Sequence, residues 1–296
     1  MSLLPPAVHN APLKGIALMI IAVGLFSLMD TIAKYLARSY PVPGIVWARY
    51  AASFVLLTAL LAAHGRLGLM RTRRPGIQVL RGALLAASTF LYFTSLRFLP
   101  MAEAAAIGFV LPLFVAVLAV PMLGERLDAA RMVAIGIGLA GALLVVRPGT
   151  AIFTPYAVLP VVMAFANALY QILTRKIAGV EPPLTSLFYG ALVGTVAFSF
   201  VAPFAWVTPS GWWHWTLIAV IGTLATAGHF ILIRAFDYAP ATLLSPFVYT
   251  QLVWAMGLGL IVFGDFPDAW ALAGMGVIVA SGLALAARQR LAVRKT

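Results

Sequence analysis

The sequence predicts an all-α integral membrane protein whose ten transmembrane helices form two inverted repeats of five helices. Apolar residues make up 63% of the chain and charged residues only 9%, which leaves too few polar groups to cover a water-soluble surface. Apolar runs of about 20 residues, the length that a hydrocarbon core of roughly 30 Å requires, follow one another with short interruptions. The second half of the chain also repeats features of the first half at an offset of 140 residues.

The boundaries of the predicted spans follow the apolar runs. The first run continues through Asp30 and Lys34 without a clear small-residue cleavage site, so we interpret it as a helix and not as a signal peptide. Every run is apolar all round, which is unlike the helices of a soluble domain. The ten spans are 13–37, 43–63, 76–97, 101–123, 128–146, 154–177, 182–206, 212–236, 241–262 and 267–287.

The net charge of +12 predicts how the chain is oriented in the membrane. If the N-terminus is cytoplasmic, 15 Lys and Arg residues fall on the cytoplasmic side and four on the opposite side, with Arg49 inside helix 2. This asymmetry follows the positive-inside rule and predicts two cytoplasmic termini in a bacterial inner membrane. No soluble basic module that would bind nucleic acid is present. The absence of cysteine excludes disulfides and thiolate metal sites.

The internal repeat is clearest where helices 4 and 9 end. Residues 124–128 read GERLD and residues 264–268 read GDFPD, and the same offset superimposes Gly82 on Gly222. Each Gly is expected to end its helix in a left-handed conformation, and Asp128 or Asp268 to cap the next helix. We interpret this signature as turn chemistry and not as a binding motif.

The repeat also predicts how the two halves are oriented. Five spans are an odd number, so the second copy must enter the membrane from the opposite side. The sequence therefore predicts two repeats, 13–146 and 154–287, in inverted orientation. Inverted repeats are typical of secondary transporters.

These features resemble a known family. The Gly-acid endings of helices 4 and 9, with Pro100 and Pro240 before those helices, are similar to the drug/metabolite transporter superfamily and its EamA-type ten-helix exporters. Within the superfamily the chain resembles the bacterial aromatic amino-acid exporters. The resemblance extends over about residues 13–287. It implies an inner-membrane carrier whose pocket is enclosed by both halves, with helices 5 and 10 at the periphery.

Polar and aromatic side chains at membrane depth are the candidate substrate-binding residues. Hydrogen bonds between helices would satisfy any one of the polar groups, but their convergence from both halves favours a pocket. Aromatic rings at the same depth would stack on a planar substrate. The polar candidates are Asn167 and Gln171 on helix 6, His229 on helix 8 and Gln251 on helix 9. The aromatic candidates are Phe26, Tyr50, Tyr92, Phe165, Tyr170, Tyr249 and Trp254.

Four ionisable residues form a candidate charge cluster in the outer third of the membrane. Asp30 and Lys34 are one turn apart on helix 1, where they would neutralise each other. Arg49 on helix 2 and Glu103 on helix 4 lie at a similar depth. The cluster fits either a structural role or a gate at the outer mouth. Because no carboxylate is then left at mid-depth, the sequence does not indicate a proton relay through Asp or Glu.

Two prolines and one glycine motif have structural interpretations. Pro112 near the middle of helix 4 and Pro246 early in helix 9 each remove a backbone hydrogen bond, and a fixed kink and a moving hinge are equally open. The GIGLAG segment at 136–141 matches a dinucleotide fingerprint, but it lies inside helix 5, where small residues serve helix packing.

The predicted function is a secondary transporter that exports small amphipathic metabolites, preferably aromatic amino acids or similar compounds, by alternating access. Its expected partners are a small-molecule substrate and membrane lipid, and it is expected to work as a monomer without a metal or cofactor. A same-fold carrier for another metabolite or drug is an alternative. A membrane-embedded lipid-modifying enzyme would need clustered acids or a nucleophile with a base, whereas the eight acids are scattered. An oligomeric channel fits an inverted repeat less well.

Overall fold

The computed structural model describes residues 11–124, 129–147, 154–177, 180–239 and 241–293, and these residues form helices and no β-strand. The α-helices are α1 Pro12–Ala37, α2 Val42–Ala63, α3 Pro75–Phe98, α4 Met101–Gly108, α5 Leu111–Leu123, α6 Ala129–Val146, α7 Val158–Ile177, α8 Pro183–Ser199, α9 Ala202–Ala205, α10 Gly211–Phe236, α11 Ala241–Leu244, α12 Thr250–Leu258 and α13 Ala269–Val293. Short 3₁₀ turns lie at Leu67–Met70, Pro155–Ala157 and Ser245–Tyr249, and a π turn lies at Gly259–Phe263.

The described helices account for a multi-pass membrane protein. Seven helical segments are long and apolar enough to cross a bilayer by length and composition. Three further apolar helices are shorter, at Met132–Val146, Pro183–Ser199 and Ala269–Ala284. The prediction of an all-helical membrane protein is therefore confirmed.

Two predicted spans are broken helices and not continuous ones. Span 101–123 divides into α4 and α5, and span 241–262 divides into α11, a 3₁₀ turn, α12 and a π turn. Pro112 lies in the first turn of α5 and Pro246 in the first turn of the 3₁₀ segment. Proline has no N–H to donate to the preceding turn, so an α-helix tends to end before it. Span 182–206 is also shorter than predicted, because α8 ends at Ser199 and α9 follows separately.

The loop chemistry of the repeat is confirmed where the structure describes it. Gly124 ends α5 with φ 70° and Gly264 ends the π turn with φ 73°, both in the left-handed region that glycine adopts at low cost. Asp268 caps α13, because its Oδ1 accepts a hydrogen bond of 2.9 Å from the N–H of Ala271. Asp128 and Pro240 lie outside the described residues.

The main helix contacts join the first half of the chain to the second. α1 runs antiparallel to α10, with Phe26 against Gly228 and Tyr40 within 3.1 Å of His214. α3 runs antiparallel to α7 in the same way, with Phe98 stacked on Tyr156. The offset of 140 residues relates α1 to α7 and α3 to α10. The α1–α10 pair and the α3–α7 pair are therefore equivalent contacts.

The second helices of the two halves also pack on each other. In α2 and α8, Trp47 donates a hydrogen bond to Ser199 and Tyr50 packs on Gly194, so the two helices run antiparallel. Gly82 on α3 is pressed against Val193 of α8. Its counterpart Gly222 on α10 is pressed against α2, where an added Cβ would overlap Ala52. Sequence-matched glycines thus make matching close contacts between helices.

The last helices of the two halves, α6 and α13, form a separate antiparallel pair. Ser281 donates a hydrogen bond of 2.6 Å to the carbonyl of Ala134, and Gly141 lies against the backbone of Gly274. The interpretation of the 136–141 glycines as packing residues is therefore confirmed for Gly141. Within the part of the chain that the structure describes, this pair contributes no residue to the cavity described next.

Candidate functional site

A cavity of about 260 Å³ lies between the two halves of the chain. Its walls come from α1 to α5 on one side and from α7, α10, α12 and the adjoining 3₁₀ turn on the other. The lining is mainly apolar and aromatic, with a few polar groups, as is usual for small-molecule sites. The lining residues are Phe26, Met29, Asp30, Arg49, Leu85, Ser88, Thr89, Tyr92, Phe93, Ala105, Gly108, Phe109, Leu111, Met163, Asn167, His229, Val248 and Gln251.

Both broken helices contribute their breaks to this cavity. Gly108 and Phe109 line it at the junction of α4 and α5, and Val248 and Gln251 line it at the start of α12. Breaks of this kind at membrane depth need protein or a polar cavity beside them, because lipid cannot satisfy a freed backbone group. In transporters such discontinuous helices typically form the substrate site.

Two charged side chains line the cavity without a direct ion pair between them. Asp30 on α1 is 4% exposed and Arg49 on α2 is 5% exposed. Arg49 donates from Nε to the sulfur of Met29 at 3.4 Å, and its guanidinium lies 4.5 Å from the ring centre of Tyr50. Its Nη1 has no hydrogen-bond partner, and its charge acts on the carboxylate of Asp30 without a direct ion pair. These two charged groups therefore lack the direct protein partners that buried polar groups usually have.

His229 and Asn167 supply the neutral polar groups. The Nδ1 of His229 lies 2.8 Å from the carbonyl of Ala225, and a carbonyl only accepts, so Nδ1 carries a proton. The imidazole packs edge-on against Phe26, with ring centres 4.8 Å apart. Asn167 accepts a hydrogen bond of 3.1 Å from Gln171, which is itself exposed and does not line the cavity.

A smaller pocket of about 30 Å³ adjoins the cavity and shares Arg49 and His229 with it. The predicted residues Tyr50 and Tyr170 line this pocket and not the main cavity. The hydroxyl of Tyr50 lies 2.8 Å from that of Thr89, which lines the main cavity. The two spaces therefore follow one path between the helices.

A buried arginine closes the far end of that path. Arg81 on α3 is 3% exposed and donates to Thr174 at 2.7 Å, to Gln78 at 2.6 Å and to the hydroxyl of Tyr170 at 3.3 Å. Gln78 in turn donates to Ser186 of α8 at 3.2 Å. These bonds tie α3 to α7 and α8, so they hold the two halves together at this end. The sequence analysis did not predict this role, because it used Arg81 only as one of the basic residues that indicate the cytoplasmic side.

A second group of charges holds the halves together at the opposite end. Lys34 forms an ion pair of 3.0 Å with Asp265 and donates to the carbonyl of Leu99 at 2.8 Å. Arg147 forms an ion pair of 2.8 Å with Asp268. The N–H of Ala271 and the nearby Arg147 hold the pKa of Asp268 below its usual range.

The four charges of the predicted cluster are thus divided between two places. Asp30 and Arg49 line the cavity, whereas Lys34 lies at the end opposite the Arg81 network, where half-buried Glu103 is close enough to interact with the charges of Lys34 and Arg147. The one-turn spacing had suggested that Lys34 pairs with Asp30. In the structure Lys34 pairs with Asp265 instead. Asp30 lines the cavity together with His229 and Asn167, so the candidate site includes a carboxylate.

Three predicted aromatic residues line neither the cavity nor the adjoining pocket. Phe165 and Trp254 are each 43% exposed, and Phe165 packs on Phe114. Tyr249 stacks on Phe109, with ring centres 4.9 Å apart, and so supports a lining residue from behind. Phe26, Tyr92, Asn167, His229 and Gln251 line the cavity, and their role in substrate binding stays a prediction.

Comparison with known proteins identifies the family. The model of the EamA-like transporter family matches the chain twice, at residues 13–147 and 154–287. The chain is 30% identical over 271 residues to an S-adenosylmethionine uptake transporter of Rickettsia felis, with 92% of each chain covered. It is 28% identical over 278 residues to a pseudopaline exporter of Pseudomonas aeruginosa, with 92% of this chain and 95% of the exporter covered.

Two further comparisons extend the agreement. A riboflavin transporter of Vibrio cholerae is 26% identical over 278 residues, with 93% of each chain covered. A solved crystal structure with 21% sequence identity superimposes with a TM-score of 0.64 and covers 94% of this chain and 97% of its own, which is a likeness of fold alone. On the two family matches and the full-length relatives, the chain belongs to the EamA-like transporter family.

Proposed function

We propose that this protein is a secondary transporter that moves small amphipathic metabolites across the bacterial inner membrane by alternating access. The observation that carries the proposal is the cavity between the two halves, lined by the breaks of two discontinuous helices. The same family matches the chain twice, and the relatives named above are transporters of small molecules.

We further propose that ten spans form two inverted halves, 13–146 and 154–287. The seven long and three shorter apolar helices supply the ten spans if α4 with α5, and α11 with α12, each count as one. The antiparallel packing of α2 on its counterpart α8 supports the inversion, and so do the matching contacts of Gly82 and Gly222. With the positive-inside rule, the arrangement has both termini in the cytoplasm.

Alternating access requires contacts that close the path at each end in turn. We propose that the Arg81 network forms the cytoplasmic closure and that Lys34–Asp265 with Arg147–Asp268 forms the outer closure. Both sets join the first half to the second. Opening one end would break one set, and the breaks beside Pro112 and Pro246 are where the fourth and ninth spans would bend.

The cavity size points to a small cargo. About 260 Å³ lies just below the roughly 300–1,000 Å³ of sites for drug-sized ligands. Aromatic amino acids fit such a space and are the first cargo to test, with export as the first direction. The relatives carry other cargo by name and include both an uptake transporter and an exporter. S-adenosylmethionine and riboflavin are therefore the second set.

Counterflow in liposomes tests the proposal. Purified protein is reconstituted with unlabelled compound inside and labelled compound outside, with and without a pH gradient, for L-phenylalanine, L-tryptophan, L-methionine, S-adenosylmethionine, riboflavin and a nucleoside. We expect saturable, transient accumulation of at least one compound. Flux that neither saturates nor shows counterflow would indicate a channel, and chemical conversion of lipid or substrate would indicate an enzyme. If every compound moves only at the leak rate of protein-free liposomes, the proposal is rejected.

A further inference from the structure

We infer that Asp30 and Arg49 form a two-point site for a zwitterion, in which Asp30 binds the ammonium group and Arg49 the carboxylate of one amino-acid-like substrate. This inference rests on the proposed transport function and adds the substrate class. It names the two side chains that would decide which small molecules enter the cavity.

The first argument is the state of the two charges. Both side chains are at least nine-tenths buried, both line the cavity, and they form no ion pair with each other. The guanidinium of Arg49 cannot give up its charge in a protein, and its bonds to sulfur and to the ring of Tyr50 are weak compensation for lost water. A buried charge without a partner is strongly destabilising, so an anionic group is the expected complement of Arg49.

The second argument is the contrast with every other described cation near the cavity. Arg81 is equally buried, but it has three hydrogen-bond acceptors on the protein. Lys34 is also buried, and it is paired with Asp265 and with a backbone carbonyl. The protein therefore satisfies its buried cations where they hold helices together. Arg49 is the exception, because its Nη1 has no hydrogen-bond partner, and it lines the cavity together with Asp30.

The third argument is selectivity. A purely anionic ligand would satisfy Arg49 but leave Asp30 unpaired beside a second negative charge, and a purely cationic ligand would do the reverse. A zwitterion satisfies both groups at once and brings no net charge into the cavity. The rest of the lining, with Phe26, Tyr92 and Phe109, is suited to an apolar or aromatic body attached to that head group.

The inference is tested by binding in detergent, which does not depend on transport. The purified full-length protein is titrated with three compounds that share one ring: L-phenylalanine, phenethylamine and 3-phenylpropionate. The ligand-dependent rise in Tm gives relative affinities. A parallel set uses L-methionine, 3-(methylthio)propylamine and 4-(methylthio)butanoate. We expect the zwitterion of at least one set to bind at least about tenfold more tightly than either of its singly charged analogues, because each analogue loses one charge-assisted contact.

Two variants assign the contacts. Asp30→Asn is expected to abolish the preference for phenylalanine over phenylpropionate, because the ammonium group no longer has a partner. Arg49→Gln is expected to abolish the preference for phenylalanine over phenethylamine. The matched controls are Asp237→Asn, at a partly exposed position, and Arg66→Gln, at an exposed one. They remove the same charges outside the cavity and should keep both preferences. Arg49→Lys, which keeps the charge, should retain part of the preference for the zwitterion.

The outcomes separate this inference from the transport proposal. If the wild-type protein binds the singly charged analogues as tightly as the zwitterions, or if only uncharged compounds such as riboflavin bind and move, the zwitterion site is wrong while transport stands. The wild-type series decides this point even if the variants do not fold. Selectivity that survives both substitutions would also overturn the inference. If no compound binds or moves at all, the transport proposal fails with it.

Discussion

The cavity and the outer end of the protein both hold charges that lie between the two halves, but they use them differently. At the proposed outer end, Lys34 pairs with Asp265 and Arg147, which directly follows the first half, pairs with Asp268, so both of these cations have an acid of the second half as partner. In the cavity, Asp30 and Arg49 both come from the first half and have no such partners. Ion pairs between the halves stabilise one arrangement of the halves, whereas charges that line a cavity without a direct ion pair are suited to a ligand.

The largest expected effect concerns the cavity. Arg49→Gln should weaken the binding of the transported zwitterion by at least about 30-fold, because truncating one partner of a buried charge contact typically costs 2 kcal/mol or more. The KM of counterflow in liposomes measures this change. Arg66→Gln, an exposed arginine just after α2, is the control. An unchanged KM would show that the cavity charge is structural, as the outer charges are.

The second effect concerns the outer end. The chain contains no cysteine, so Ser88→Cys gives a single reactive thiol in the cavity lining. In that background Asp265→Asn should speed labelling by an impermeant maleimide added outside intact cells by roughly fivefold. A partly exposed ion pair contributes about 1 kcal/mol to the closed arrangement. Asp237→Asn is the control, and equal acceleration in both variants would contradict a specific outer closure.

A smaller effect is expected at the cytoplasmic end. Thr174→Val removes one of the three acceptors of Arg81, so labelling of the same thiol in inside-out vesicles should rise by about threefold. Labelling from the outside should not rise. Thr216→Val, which removes an exposed hydroxyl bonded only within α10, should leave both rates unchanged. Faster labelling from both sides would mean general loosening and not a closure at one end.

The smallest effect is a pH dependence at the outer end. Because the pKa of Asp268 is lower in the folded protein than in the unfolded chain, its stabilising contribution is complete above pH 4 and is lost as the pH falls through the folded value. Asp268→Asn keeps a good capping side chain but loses the ion pair with Arg147. The Tm difference between wild type and variant should therefore shrink as the pH falls from 4 toward 3. A constant difference would contradict this role of the carboxylate.

Much of the fold follows from local sequence. Composition and the length of the apolar runs predicted a helical membrane protein, because a bilayer permits few other structures. Gly124 and Gly264 were correctly predicted to end their helices in the left-handed conformation. The breaks beside Pro112 and Pro246 were predicted as kinks or hinges in continuous helices. A missing N–H marks the position of a defect but does not show whether the helix resumes directly.

The candidate site was predictable in composition but not in arrangement. Five of the eleven predicted binding residues line the main cavity and two more line the adjoining pocket. Phe165 and Trp254 were wrongly expected to line the cavity, because helix periodicity does not reveal which face of an all-apolar helix is turned to lipid. Depth along the chain likewise grouped Asp30 with Lys34, although their side chains have different surroundings.

The sequence by itself determined that the chain folds in a membrane, that it is helical, that it contains an internal repeat and how the loops end the helices. These properties depend on composition, periodicity and backbone preferences. Only the tertiary structure decided that Asp30 and Arg49 line the same cavity while Lys34 is held by Asp265, which is 231 residues away along the chain. The physical reason is that pairing between buried charges depends on distances between helices. Those distances are set by close contacts such as Gly82 on Val193 and Gly222 on Ala52, which no local pattern specifies.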